Sequence, residues 1–68
     1  MTETNYEERY AEMCDDPERY RQVLKLLRAG ETKEEVDKIL VMFLMDMSYH
    51  RIDLSNAYKV VRLERGWP

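Results

Sequence analysis

Disulfides cannot hold this chain together, because Cys14 is its only cysteine in 68 residues. A lone thiol fits a reducing compartment, or a fold that does not depend on cross-links. Histidine is equally scarce: His50 stands alone, whereas a zinc-type centre needs three or four ligands. With one histidine, a Ser-His-Asp constellation has nothing to be built around. Only two glycines occur, far apart, so no glycine-rich loop can cradle a phosphate. The longest apolar run, Ile39 to Met45, is bounded by Lys38 and Asp46 and falls well short of the about 20 residues that span a bilayer. The opening residues are acidic and the first apolar cluster comes late, unlike a secretory leader. These absences lead us to expect a cytoplasmic, non-enzymatic chain with no metal, no cofactor and no membrane partner. A fold this small buries only about 60% of its unfolded surface. Without disulfides or a metal, association with another chain is the remaining common source of stability.

Helix punctuation is abundant. Thr4-Asn5-Tyr6-Glu7 has the Thr-x-x-Glu spacing of a capping box, and Tyr6, Tyr10, Met13 and Cys14 follow on one helical face. This predicts an acidic first helix within 1–15, loosely docked. Asp16-Pro17 is a second start, with an acidic cap and proline at the first helical position. Tyr20, Val23, Leu24 and Leu27 form its stripe, with Leu26 beside it, and Gly30 is its stop. Thr32-Lys33-Glu34-Glu35 opens a third helix, expected to run over 32–50 and to pack antiparallel on the 16–30 helix as a hairpin. Asp53, Ser55 and Asn56 offer caps for a fourth helix over 53–66, which carries Leu54, Ala57, Tyr58 and Val61 and ends at Gly66. No period-two alternation and no internal repeat interrupts this pattern. The expectation is an all-α bundle of three to four helices in a single domain, with a long central third helix.

The run Ile39-Leu40-Val41-Met42-Phe43-Leu44-Met45 goes nearly twice round a helix axis. Val36, Ile39, Leu40, Phe43, Leu44 and Met47 make an ordinary core stripe. Val41, Met42, Met45 and Tyr49 lie on the other side, with Ile52 extending the line if the helix persists. A surface helix needs only one apolar stripe, so the second predicts a homodimer or a contact with a larger protein. Methionine suits such a surface, because its unbranched thioether adapts to an irregular partner. Trp67, beyond the Gly66 stop, joins this interface set as an aromatic anchor, the alternative being a lid folded back on the core. Asp46 and His50, four apart, would face each other on a continuous helix as an ion pair.

Net charge is −3, unevenly spread. Residues 1–18 carry seven acids against Arg9 alone, and residues 19–68 carry ten bases against seven acids. Lys59, Arg62 and Arg65 recur every three residues along the last helix, with Arg51 ahead of them. Such a stripe is what a DNA-reading helix presents. The segment Val61-Arg62-Leu63-Glu64-Arg65-Gly66 resembles the end of the recognition helix in phage-repressor-type helix-turn-helix proteins. The resemblance implies a small dimeric DNA-binding regulator. Against the family pattern, no glycine turn stands at the right distance before the helix, and the preceding connection is polar and long. A pI near 5.1 also opposes binding driven by phosphate charge. The leading expectation is therefore a protein-binding regulator or inhibitor, of accessory or phage type, with nucleic-acid binding as the alternative.

Overall fold

In the computed structural model, which describes residues 5–68, four helices form: α1 (Tyr6–Ala11), α2 (Pro17–Ala29), α3 (Lys33–Leu44) and α4 (Arg51–Arg65). Among the described residues there is no strand, and no helix is long and apolar enough to cross a membrane. The cap expected at Thr4 lies outside the described residues. Asn5 caps α1 instead, its side chain accepting from the Glu8 amide at 3.2 Å. Asp16 caps α2, accepting from the Arg19 amide, and Pro17 occupies the first turn, where a missing N–H costs nothing. Thr32 and Glu35 close a full capping box on α3. At the far end of α4, Gly66 adopts the left-handed φ of 70°. The Trp67 amide then reaches back to the Arg62 carbonyl at 2.9 Å, which satisfies an otherwise orphaned acceptor.

Helix α4, not α3, is the central element, and it packs against all three others. Leu54, Ala57, Val60 and Val61 face Tyr20, Val23, Leu24, Leu27 and Val36 in one core, with Ala11 closing the α1 side. The starts of α2 and α4 meet where the Asp16 amide donates to Asp53, and their ends meet where Arg28 grips Glu64. These two helices therefore run parallel. α3 runs back between those directions as expected: Gly30 at the end of α2 abuts Val36, while Arg19 at its start bonds the Ser48 carbonyl beyond α3. The first helix is docked, not loose. The buried Tyr20 hydroxyl donates to the Glu7 carbonyl at 2.9 Å, and Glu7 also meets Arg21 and Arg28. Burial raises the Tyr20 hydroxyl pKa well above its ordinary value, so it stays a neutral donor.

Two boundaries differ from expectation, for reasons of local hydrogen bonding. α3 ends at Leu44, not His50, because the Asp46 carboxylate accepts from both the Ser48 amide (3.0 Å) and the Ser48 hydroxyl (2.7 Å). Such side-chain bonds offer the backbone a turn in place of another helical residue. With the helix broken there, Asp46 no longer faces His50, whose Nδ1 lies 3.3 Å from Asp15. α4 begins two residues earlier than the polar residues 53–56 suggested, with His50 at the cap and no side-chain cap bond. Of the polar cap candidates, Asp53 and Asn56 turn inward, while Ser55 is exposed. Asp53 is fully buried, and its two carboxylate oxygens accept from the backbone amides of Asp15 (2.8 Å) and Asp16 (3.1 Å). Asn56 donates to the Cys14 sulfur at 3.4 Å. Burial is the first cause of a raised Cys14 pKa, with the Asp53 charge adding to it.

Gly30 is required by space. Its backbone is extended, with φ −73°, but a Cβ there would stand 2.9 Å from Val36 Cγ2 and 3.1 Å from the Val36 amide nitrogen. Valine is buried and stiff, so it cannot yield cheaply. Gly30→Ala is expected to destabilise by about 1–3 kcal/mol through overpacking, read as a lower urea midpoint. Asp53→Ala removes a buried acceptor of two amide bonds and leaves both donors unpaired. We expect a loss of about 2–4 kcal/mol, and thermal unfolding shows it as a midpoint lowered by about 10 °C or more. Asp53→Asn, which retains one acceptor, should fall between.

Candidate functional surface

The second apolar face of α3 is open to solvent. Val41 is 50% exposed, Met42 70% and Met45 78%. Two residues expected in the core belong to the surface as well: Leu44 is 45% exposed and Met47 is 95% exposed. Leu44 loses its cover because α3 ends there, and Met47 sits in the Asp46–Ser48 turn that replaces the last helical turn. Val36 is the one fully buried residue of the expected core stripe, while Ile39, Leu40 and Phe43 are half-buried against the core. Most of α3 therefore rests on the domain instead of passing through it.

Beside this face lies a groove of about 320 Å³ between α2 and α3, lined by Leu26, Ala29, Ile39, Met42, Phe43, Asp46 and Tyr49. Tyr49 stands on the connection after α3, not on the helix, yet it reaches the same groove. Its ring meets Phe43 edge-on at 4.9 Å between centroids, and the Arg19 guanidinium covers its face at 5.1 Å. Leu26, noted only as lying beside the α2 stripe, supplies the opposite wall and is 50% exposed. Ile52 does not extend the line, because it belongs to α4.

Trp67 lies apart from this surface. It is half-buried and folds back over a cleft shared with Tyr10, Lys59, Arg62 and Leu63, with the Arg65 guanidinium 5.2 Å from its ring centroid. Of the basic set, Arg65 also donates to the Arg28 carbonyl at 2.9 Å, and Arg62 lies 5.7 Å from the Tyr58 ring centroid. Among the described residues, Arg62 and Arg65 are thus tied to the fold, whereas Arg51 and Lys59 are exposed. Among the described residues, no cluster of three or more His, Cys, Asp or Glu side chains is placed to hold a metal ion. Compared with protein-family models, curated proteins and solved structures, the chain matches none.

α3 is moored to α4 near its start. The Tyr58 hydroxyl donates to the Asp37 carboxylate, which also meets Lys33 at 3.0 Å. The Tyr58 bond is the first cause that holds Asp37 below the usual carboxylate range, and the Ser48 amide is the first cause for Asp46. Both groups bind protons less readily folded than unfolded. Their contribution to stability is full above their ordinary pKa of 3.8 and is lost as pH falls through their lower folded values. Urea midpoints should therefore fall as pH drops below about 4, and less steeply in Tyr58→Phe, which already lacks the Asp37 bond.

Proposed function

We propose that this chain is a non-enzymatic protein–protein interaction module, a regulator or inhibitor that acts by burying the exposed α3 face against another chain. The observation that carries the proposal is the continuous apolar surface of Val41, Met42, Leu44 and Met45, set beside the Leu26–Tyr49 groove. A cluster of large apolar side chains on one face is a mark of interaction surfaces, whereas scattered ones need no explanation. Three features make the surface suited to capture. The methionines adapt their shape, the groove offers a cavity for a protruding side chain, and Arg19, Lys38 and Asp46 supply charge at the rim. The helix beneath is held by its capping box and the Tyr58–Asp37 bond, so little ordering is needed on binding.

Met45→Lys tests this directly, since Met45 touches solvent and its loss leaves the core intact. Burying a methionine contributes about 1.5–3 kcal/mol, so the substitution should weaken association by about tenfold to a hundredfold. Helicity by circular dichroism should remain unchanged. Light scattering of the purified chain and capture of proteins from its native host provide the readouts. If neither changes, the α3 face is not the binding surface.

A further inference from the structure

Resting on that reading, we infer that Met42 and Met45 are sites of peroxide modification, whose conversion to sulfoxides turns the α3 face polar while the fold stays intact. The argument starts from where the sulfurs lie. Methionine is ordinarily a core residue. Among the described residues, however, the buried core contains none, and Met13, Met42, Met45 and Met47 are each more than half exposed. α3 is fixed by other side chains: Thr32 and Glu35 at its start, the Tyr58–Asp37 bond, and Val36, Ile39, Leu40 and Phe43 against the core. Oxidation of its methionines alters a surface and leaves the packing beneath untouched. Met42 walls the α2–α3 groove with Leu26 and Phe43, and a second recess with Asp37, Lys38 and Val41. Met45 is the most exposed member of the apolar set on this face.

The reaction is a two-electron oxygen transfer from hydrogen peroxide. The thioether sulfur attacks one peroxide oxygen, an S–O bond forms and the O–O bond breaks. The departing oxygen takes the proton of the transferred hydroxyl and leaves as water, so sulfur is oxidised and peroxide reduced. A polar, chiral sulfoxide then replaces a flexible apolar thioether. Buried without a hydrogen bond, such a group opposes association. A dithiol acting through a sulfoxide reductase reverses the change: the oxygen leaves as water and the two thiols become a disulfide. Cys14 competes poorly for the oxidant. Its thiol donates to the Tyr10 carbonyl at 3.3 Å and accepts from Asn56 at 3.4 Å. Burial raises its pKa further, whereas the thiolate is the form that reacts.

Peroxide titration of the intact chain tests this, read by peptide mass spectrometry. Met42 and Met45 should each gain one oxygen while Cys14 remains a thiol, with circular dichroism unchanged. Retention on a phenyl matrix reports the polarity of the face and should fall. Any association that Met45→Lys weakens should weaken by about tenfold or more on oxidation. Met42→Leu combined with Met45→Leu should abolish both responses, whereas Met13→Leu combined with Met47→Leu should leave them. Loss of helicity on oxidation overturns the inference, as does oxidation of Cys14 ahead of the two methionines. So does a fall in retention that persists in the Met42→Leu, Met45→Leu chain. If Met45→Lys weakens association and peroxide does not, the modification fails and the binding role stands. If Met45→Lys changes nothing but peroxide still lowers retention through Met42 and Met45, the binding role fails and the modification stands.

Discussion

A buried carboxylate on α4 decides how the chain closes. Asp53 sits in the first turn of α4, where the helix dipole favours negative charge, and its two oxygens take up the amides of Asp15 and Asp16 at the start of α2. One side chain thereby registers the N-termini of two parallel helices and fixes the turn between α1 and α2. Asn56, one turn further along α4, continues the seam by bonding Cys14. Charged hydrogen bonds in a dry site are strong, and leaving such a group unpaired is costly. The contact is therefore directional in a way that the surrounding Leu and Val packing is not.

Once α4 is locked between α1 and α2, α3 is left on the outside. It meets the core mainly through Val36 and the half-buried Ile39, Leu40 and Phe43. Among the described residues, the apolar side chains on its far side stay half or more exposed. In a chain whose α1 has only six residues, covering elements run out before the hydrophobic surface does. The exposed methionines follow from that shortage of cover, and the grooved surface beside them comes from the antiparallel packing of α2 and α3.

Much of the fold was legible because its signals are local. Asp16-Pro17, Thr32 with Glu35, and Gly66 act through bonds to near neighbours, and each fell where its spacing placed it. The buried stripe of α2 was legible for the same reason, as were the open side chains of Val41, Met42 and Met45. What misled was polarity with two uses. Asp53 and Asn56 resemble helix caps in sequence, but their partners are about 40 residues away and no periodicity reveals them. Asp46 and Ser48 looked like tolerable helix residues, yet together they form a turn. That misreading lengthened α3, hid the exposure of Leu44 and Met47, and placed Tyr49 on the wrong element. Gly30 was legible as a stop, but not as the gap into which Val36 packs.

The central claim is that α3 offers its outer face for burial by another chain. Methionine-methyl NMR tests it most directly, because Met13, Met42, Met45 and Met47 all carry exposed reporters at separate places. As protein concentration rises, or as a partner is added, the Met42 and Met45 methyls should shift and lose contact with a dissolved paramagnetic probe, while Met13 should not. Equal and unchanged accessibility of all four under every condition would contradict the account.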